Sequence, residues 1–385
     1  MSSVQQGTAG AGQVTCRACG DSAGDLVLDL GLQPACDYFP RLGDAGPDPA
    51  YPLQMWLCRC CGLAQLAADP TVPEEPRGAE PAALVTQAAD AVGRCASAGL
   101  LRPGAAVAEY GSPHGGSWLG LLAGRGLVPV ADDEPADLVV DCFGLMHAAD
   151  QAGALAGRAR RLAPGGVLLL QFHSLETIIR LGQWNALRHG HFGYYSVTAL
   201  SLMLAAAGLA PAAAWQFELY GGTVLLAARR TADLTGPPDE SVRALLAADA
   251  AAGVRDPAAL GRLGHDLQVQ TGRLSEWLAT ERAAGRTVLG YGAASRAVAL
   301  LRLAGADRSV LPAVVDASPA KAGLRMPGTD IPVVGPAELS TRRPDSVLLF
   351  LPDLRAEVRA AYPEVEAAGG RWVAAELHLP ASARG

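Results

Sequence analysis

The chain has 385 residues, of which 50% are apolar, and its formal net charge at pH 7 is −7. This length exceeds what one ordinary hydrophobic core supports, so two or three domains are expected. The acidic balance argues against a general nucleic-acid binder, which would carry a basic surface. No apolar run reaches about 18 residues, and no basic region precedes an apolar core at the start, so we expect no membrane segment, no signal peptide and a cytoplasmic location.

Eight cysteines are present, and in the cytosol such residues are more often metal ligands or free thiols than disulfides. Four of them form two C-x-x-C pairs separated by a loop, Cys16 with Cys19 and Cys58 with Cys61. Four thiolates at this spacing suit a closed tetrahedral zinc site, which leaves no open position for a substrate. The spacing therefore predicts a structural zinc ion, and the alternative is a set of reduced structural thiols.

The most informative stretch is residues 105–116, AAVAEYGSPHGG, in which a short apolar run leads into closely spaced glycines. A helical pattern begins near Ser117. A strand, a glycine-rich turn and a helix in this order can bind a nucleotide-type cofactor, because the backbone approaches the ligand closely and the helix N-terminus offers unpaired N–H groups. An ordinary tight turn is the alternative. An acidic pair, Asp132 and Asp133, follows at about the distance of a ribose-binding carboxylate, roughly 20 residues on.

The apolar runs predict two α/β units. The first spans about residues 100–230, with strands near 105–108, 128–131, 138–141, 167–172 and 223–228 and helices near 117–124, 149–162 and 196–207. A helical segment over 241–284, broken near 253–257, leads to the second unit, which starts at Arg286. There TVLGYGAASRAVALL predicts a strand, a G-x-G-x-x-S turn and a helix, with strands near 313–316, 346–350 and 371–374. This pattern indicates a second Rossmann-like domain, which binds a nucleotide or serves only as scaffold.

These parts, in this order, resemble the sugar C-methyltransferases of deoxysugar biosynthesis. The segments that carry the resemblance are LDLGLQPACDYF, LCRCCGLAQL, RLAPGGVLLLQ, HGHFGYYS, YGGTVLLAAR, GYGAASRAVALL and VVDASPAKAGLRMPGTDIPV. The resemblance implies an α/β fold with a zinc-binding module over residues 1–70, a class I methyltransferase-like Rossmann core over 71–232 and a Rossmann-like C-terminal domain over 233–385. It also implies methyl transfer from S-adenosylmethionine to a carbon of a nucleotide-linked, typically dTDP-linked, keto-sugar.

The resemblance implies site residues as well. His191 falls on the histidine of the family's Tyr-x-Glu-His-Phe segment, whereas the tyrosine position is Arg188 and the glutamate position is Gly190. We expect His191 to be the acid–base group, with His189 as a second candidate, because histidine titrates near neutrality. The alternative for His191 is a buried histidine bonded to backbone. The expected substrate-binding residues are Arg188, Tyr220, Gly221, Gly222, Gly290, Gly292, Ser295 and Arg296, and the expected cofactor-binding residues are Glu109, Gly111, Ser112, Gly115, Asp132 and Asp133.

The cofactor pocket departs from the family pattern. The family's E-I-G-S-N-D-G loop reads EYGSPHG here, and only six residues, 132–137, separate the strands expected around Ala131 and Leu138. A βαβ unit needs roughly 30 residues, so the helix and strand that help hold the adenine are missing. We therefore expect weak or no binding of S-adenosylmethionine. Three functions stay open: a C-methyltransferase with an unusual cofactor site, an acid–base enzyme that does not use this cofactor, and a catalytically silent protein that binds a ligand or a partner enzyme.

Overall fold

The computed structural model of the chain describes residues 13–44, 46–71, 80–112 and 115–375. Within these ranges the chain forms three β-sheets with helices packed against them. The fold is α/β, with a small N-terminal module, a central Rossmann-like core and a second Rossmann-like unit at the C-terminal end. No helix in the described ranges is long and apolar enough to cross a membrane.

The elements are numbered in chain order. The strands are β1 (Gly24–Pro34), β2 (Ala50–Cys58), β3 (Ala64–Leu66), β4 (Ala106–Tyr110), β5 (Val128–Pro129), β6 (Ala136–Cys142), β7 (Leu162–His173), β8 (Gly193–Tyr194), β9 (Leu209–Phe217), β10 (Thr223–Arg230), β11 (Val288–Tyr291), β12 (Val314–Val315), β13 (Val333–Val334), β14 (Ser346–Leu349) and β15 (Arg371–Ala374). The helices are α1 (Ala82–Ser97), α2 (Leu119–Ala123), α3 (Gln151–Arg161), α4 (Leu175–Leu181), α5 (Val197–Ala206), α6 (Glu240–Ala252), α7 (Pro257–Ala283), α8 (Ser295–Leu303), α9 (Ala337–Arg342), α10 (Arg355–Ala361) and α11 (Glu364–Ala367).

The N-terminal sheet is antiparallel and has the order β1-β2-β3-β8. Its strands were not predicted from the sequence. Alternate residues of β2, namely Leu53, Met55 and Leu57, are buried, so this strand presents one apolar face. That face shares a core with Leu267 of α7 and Leu301 of α8. The N-terminal sheet is therefore packed against the helices that precede and follow β11.

The central sheet has the order β5-β4-β6-β7-β10-β9, with its first four strands parallel and β10 antiparallel to both neighbours. Successive residues of β7 point to opposite sides. Leu168 and Leu170 join the core that contains α3 and α5, whereas Val167 and Leu169 join the core that contains α1 and α2. Strands buried on both faces read as continuous apolar runs, which is why the sequence predicts them well.

The start of β7 differs from the prediction. The sequence predicted a helix to residue 162 and a strand from residue 167, but the strand begins at Leu162, directly after α3. The pairing with β6 shifts register between Ala136 and Leu138, which leaves residues 163–166 as a bulge. Gly166 is required there because a Cβ atom would lie 2.9 Å from the carbonyl oxygen of Ala163.

Between β5 and β6 the chain makes only a turn, as the short spacing predicted. The turn is held by the guanidinium of Arg161, which donates to the carbonyl oxygens of Ala131 (2.9 Å), Asp132 and Glu134 (3.0 Å). No helix or further strand lies between β5 and β6, in a part of the chain that is described without a gap. The edge of the sheet beside β4 is therefore formed by a strand of two residues.

The C-terminal sheet is parallel throughout and has the order β13-β12-β11-β14-β15. The helices that precede it, α6 and α7, are separated where the sequence predicted a break. Gly253 ends α6 in the left-handed conformation (φ 71°), and Asp256 caps α7 directly before Pro257. The carboxyl ends of β4, β6 and β7 and those of β11 and β12 open onto one cavity.

Candidate functional site

The candidate site is the cavity between strand ends of the two parallel sheets. It is bounded by the loop after β4, the segment 184–192 before β8 and the loop between β11 and α8. The sequence-predicted residues that line it are Ser112, Gly115, Arg188, His191, Tyr220, Gly292, Ser295 and Arg296. Open α/β sheets bind ligands at the carboxyl ends of their strands, so the two sheets offer one shared site.

Arg188 joins the two sides of the cavity. Its Nη1 donates to Oγ of Ser295 in the first turn of α8 (2.6 Å), and its Nε donates to Nδ1 of His191 (3.4 Å). Because arginine only donates, Nδ1 of His191 carries no proton in this arrangement, and a neutral His191 holds its proton on Nε2. The ring of His191 also packs edge-on against that of His147, with the centroids 4.6 Å apart. His191 is therefore held by two cavity-lining side chains, the charged Arg188 and the ring of His147.

Three cationic side chains, Arg188, Arg296 and Lys321, line the cavity at its α8 side, together with the carboxylates of Asp316 and Glu357. Arg296 lies in the first turn of α8 and is 6% exposed. The loop before it is held in place from both sides: Lys321 donates to the carbonyl oxygen of Ala293 (2.8 Å), and Asp316 accepts from its N–H (2.7 Å). A helix N-terminus beside two arginine side chains attracts anions.

His173, the last residue of β7, lines the same cavity and was missed from the sequence. Its Nε2 lies 2.9 Å from Oε1 of Gln183, whose Nε2 donates to the carbonyl oxygen of Tyr220 (3.4 Å). Since the amide donor is used there, Gln183 presents its oxygen to the imidazole, and Nε2 of His173 carries the proton. Burial, and then the charges of Arg296 and Arg188, lower the pKa of His173 to about 3, so it is neutral near pH 7. Its place at the carboxyl end of a parallel strand is the signal that could have identified it.

Two residues beside the cavity have left-handed backbones that glycine adopts far more easily. They are Phe143 (φ 62°) and Tyr220 (φ 57°), and their rings meet edge-on with the centroids 5.8 Å apart. Such conformations persist only where the surrounding structure enforces them, and they cluster at ligand sites. The strained pair therefore marks the same cavity as the histidines and arginines.

Gly221 and Gly222 were expected to bind substrate, but neither is among the residues that line the cavity. A Cβ atom on Gly221 would lie 2.1 Å from Nε2 of Gln183, and one on Gly222 would lie 2.6 Å from the side chain of Thr177. These glycines therefore allow the turn at Tyr220 to pack closely against its neighbours. Of this segment, Tyr220 is the residue that reaches the cavity.

Two further expected site residues lie outside the cavity lining, His189 and Gly290. His189 is 2% exposed, bonds through Nε2 to the carbonyl oxygen of Pro52 (3.3 Å) and packs against the ring of Tyr51. Gly290 lies within β11, where a Cβ atom would be 2.7 Å from the ring of Phe350. Both residues serve packing between elements, so we do not include them in the proposed site.

The glycine loop after β4 is open toward the cavity. A Cβ atom on Gly115, which lines the cavity, would meet nothing within 4 Å, so a ligand can approach this backbone closely. Gly111 is equally open but is not among the residues that line the cavity. Glu109, in contrast, points to the start of α2 and accepts from Oγ of Ser117 (2.6 Å) and from the N–H of Trp118 (2.6 Å). Residues 113–114 of the loop lie outside the described part of the chain.

Asp132 and Asp133 are not part of this site, which corrects the expectation that one of them binds a ribose. Both are exposed in the turn between β5 and β6, and neither lines the cavity. Arg161, which holds that turn, directly precedes β7, so the turn lies toward the amino ends of the parallel strands. Because β5 has only two residues, the chain turns back before it reaches the carboxyl edge, where the cavity lies.

Cys16, Cys19, Cys58 and Cys61 form one cluster in which all four sulfur atoms lie within 4.8 Å of one another. The sulfur–sulfur distances are 3.5 Å for Cys16 to Cys61 and 3.6 Å for Cys19 to Cys58. A tetrahedral zinc ion with Zn–S bonds of about 2.3 Å separates its sulfurs by about 3.8 Å, so the cluster fits this ion. Arg255 supports the second pair by donating to the carbonyl oxygens at residues 59 and 60 (2.9 and 2.8 Å).

Two family models match the chain. One is described as "Putative zinc binding domain" and matches residues 16–74, and the other is described as "C-methyltransferase C-terminal domain" and matches residues 218–376. C-methyltransferase NovU of Streptomyces niveus is 25% identical over 93% of this chain and 94% of its own. Similar solved structures include magnesium protoporphyrin IX methyltransferase of Synechocystis PCC 6803 (12% identity, TM-score 0.29, 38% of this chain and 84% of that one) and 1,6-didemethyltoxoflavin-N1-methyltransferase of Burkholderia thailandensis (16% identity, TM-score 0.30, 44% and 96%).

The fold, the cysteine cluster and the two family models define a class of protein: a four-cysteine module joined to a central Rossmann-like core and a C-terminal Rossmann-like unit. The chain is similar to C-methyltransferases in its zinc-binding and C-terminal domains, and to one C-methyltransferase over nearly its whole length. The family resemblance seen in the sequence is thereby confirmed.

Proposed function

We propose that the protein transfers a methyl group from S-adenosylmethionine to a carbon of a nucleotide-linked keto-deoxysugar in natural-product biosynthesis. The observation that carries the proposal is the cavity itself, which is lined by a glycine loop of the central sheet, by Arg296 at the start of α8, by Arg188 and by three histidines, His147, His173 and His191. The similarity to C-methyltransferases supports the reaction type. A dTDP-linked sugar is the substrate that the family resemblance implies.

The α8 side of the cavity is the proposed diphosphate site. Arg188 and Arg296 carry the positive charge, and Ser295, the first residue of α8, lines the same space. Guanidinium groups bind phosphate oxygens through paired hydrogen bonds. The diphosphate would thus be held between the segment before β8 and the C-terminal unit, and the sugar would extend toward the histidines.

His191 is the proposed acid–base group. The carbon beside a ketone loses a proton to a base while its developing enolate oxygen is stabilised. His147 lines the cavity beside His191 and donates from Nδ1 to the carbonyl oxygen of Gly190 (2.9 Å), so Nε2 of its neutral ring carries no proton and can accept the one from carbon. Because Arg188 donates to Nδ1 of His191, the neutral imidazole begins the reaction with its proton on Nε2 and acts as a hydrogen-bond donor to that oxygen. Tyr220, whose ring also lines the cavity, is a second group of this surface that can donate.

The loop after β4 fits the cofactor, although with fewer contacts than the family pattern provides. Gly111 and Gly115 leave the backbone open to a ligand, and Ser112 lines the cavity beside them. When bound, S-adenosylmethionine supplies an electrophilic methyl group. Because Asp132 and Asp133 lie elsewhere and no helix follows β5, we propose that the adenosine half is held weakly.

We also propose that Cys16, Cys19, Cys58 and Cys61 hold one structural zinc ion, with no role in the reaction. The fit of the four sulfur atoms to a tetrahedral ion supports this. The domain limits at residues 1–70, 71–232 and 233–385 remain a prediction. In the structure, strand β8 from the middle of the chain completes the N-terminal sheet.

The reaction is tested with methyl-labelled S-adenosylmethionine and a dTDP-linked keto-deoxysugar. We expect label in the sugar, and we expect His191→Asn to lower the rate by about 10²–10⁴-fold, because it removes the acid–base group. His265→Asn, at an exposed position of α7, is the matched control and should keep the wild-type rate. The proposal is wrong if the wild-type protein binds the nucleotide sugar and the saturating cofactor but transfers no label.

A further inference from the structure

We propose that Gln171 and His173 form a neutral two-acceptor subsite that binds hydroxyl groups of the ligand's sugar. The inference rests on the proposed function only in that the ligand is a nucleotide-linked sugar, and it does not require methyl transfer. It assigns this chain a specificity-determining surface on the central sheet, opposite the charged start of α8.

The two residues share one face of β7. They are two positions apart at the carboxyl end of the strand, so their side chains point the same way, about 6.6 Å apart along the backbone. Both line the cavity. Phe172 lies between them, points to the opposite face and packs edge-on against Tyr195 (5.9 Å between centroids). The strand therefore presents two polar side chains to the ligand as a pair.

His173 offers a fixed acceptor. Its Nε2–H donates to Gln183, so the lone pair of the neutral ring lies on Nδ1. No donor within the described residues bonds to Nδ1. The imidazole cannot turn its other nitrogen to the cavity without breaking the bond to Gln183, whose own orientation is set by the carbonyl oxygen of Tyr220.

Gln171 offers the second acceptor. It is 3% exposed, and its Nε2 donates to Oε1 of Gln87 (2.7 Å). In this orientation of the two amides, Oε1 of Gln171 and Nε2 of Gln87 are buried and have no hydrogen-bond partner in the part of the chain that the structure describes. Buried carbonyl oxygens are nearly always paired in folded proteins, so this one calls for a donor from a ligand.

The surrounding charge identifies that ligand group. Arg188 and Arg296 both act electrostatically on His173, so a cation such as the sulfonium or ammonium group of the cofactor would be repelled here. Neither acceptor carries a negative charge, and the carboxylates that line the cavity, Glu80, Asp316 and Glu357, are not among the charges that shift the pKa of His173. The ligand group must donate hydrogen bonds and must carry no positive charge. The hydroxyl groups of a sugar attached to a bound diphosphate are donors of this kind.

The test is calorimetric titration of the wild-type protein, without cofactor, with dTDP-glucose, its single-deoxy analogues and dTDP alone. We expect at least one deoxy analogue to bind about tenfold more weakly than dTDP-glucose, the usual effect of losing a neutral hydrogen bond. Equal binding of all analogues overturns the inference and leaves the proposed function standing. Failure of every dTDP ligand to bind overturns both.

Variants then locate the effect. His173→Phe keeps a ring of similar size without the acceptor, and Gln171→Leu removes the second acceptor. In each variant, the difference in affinity between dTDP-glucose and the weakest deoxy analogue should fall to about twofold or less, while the affinity for dTDP alone is unchanged. His173→Asn, which can place an oxygen near the position of Nδ1, should retain discrimination and covers the case in which the phenylalanine variant does not fold. If Gln171→Leu instead weakens the binding of S-adenosylhomocysteine, the residue belongs to the cofactor site and the inference is wrong.

Discussion

At the scale of single residues, the chemistry of the cavity depends on which side-chain atoms already have a hydrogen-bond partner within the protein. Arg188 is bonded to both Ser295 and His191, and His173 is bonded to Gln183. These bonds fix which nitrogen of each imidazole carries a proton. Arg296, which is buried, is the second guanidinium on this surface. The residue chemistry thus separates an anion-binding side from a neutral, hydrogen-bonding side.

Arg296→Ala should weaken binding of a dTDP-sugar by about 10–100-fold, since it removes a charged hydrogen-bond donor to the diphosphate. The measurement is calorimetric titration without cofactor. Arg302→Ala on the same helix, at an exposed position, is the control and should leave affinity unchanged. Unchanged affinity in the Arg296 variant would show that the diphosphate binds elsewhere.

Several residue roles could not be derived from sequence, and the reasons are physical. His173 was missed because a lone polar residue after an apolar run gives no sign of its partners, which are distant in the chain. Asp132 and Asp133 were misplaced because spacing alone does not reveal that the turn folds back against Arg161. Gly221 has the right residue type for a ligand contact, yet the close approach of Gln183 explains it.

At the scale of elements, the strands of the two parallel sheets were largely predictable, because burial on both faces produces apolar runs. The break between α6 and α7 was predictable from Gly253 and Pro257. The N-terminal antiparallel sheet was not predicted. Its edge strand β1 alternates irregularly, with register shifts between Leu26 and Leu28 and between Asp29 and Leu32. Such shifts erase the period-two pattern on which strand prediction depends.

The cysteine cluster gives the element-scale prediction. The wild-type protein should contain one zinc ion per chain, and Cys58→Ser should contain less. The substitution should also unfold the N-terminal sheet, because β2 ends at this residue and a structural zinc site contributes folding free energy directly. Metal analysis and protease sensitivity are the measurements. Cys60→Ser, an exposed neighbour outside the cluster, is the control. A wild-type protein that contains no zinc after purification without chelators would contradict the prediction.

At the scale of the whole molecule, the site exists only because two sheets meet. The central sheet supplies the glycine loop and the end of β7, the C-terminal sheet supplies the start of α8, and the segment 184–192 lies between them. One hydrophobic core is shared by the N-terminal sheet, α7 and α8, and this packing holds the three elements together. The same architecture lacks the helix that would follow β5, so the weakness expected of the cofactor site is a property of the fold.

The missing helix should lower the affinity for the cofactor by close to a hundredfold. If roughly 80–100 Å² of adenine surface stays in water, at about 25 cal/mol per Å², the binding free energy is reduced by about 2–2.5 kcal/mol. Calorimetric titration with S-adenosylhomocysteine and with a dTDP-sugar, on the same zinc-loaded protein, tests the account most directly. We predict that one dTDP-sugar binds per chain and that S-adenosylhomocysteine binds much more weakly than low-micromolar affinity. Low-micromolar binding of S-adenosylhomocysteine together with no binding of the nucleotide sugar would contradict it.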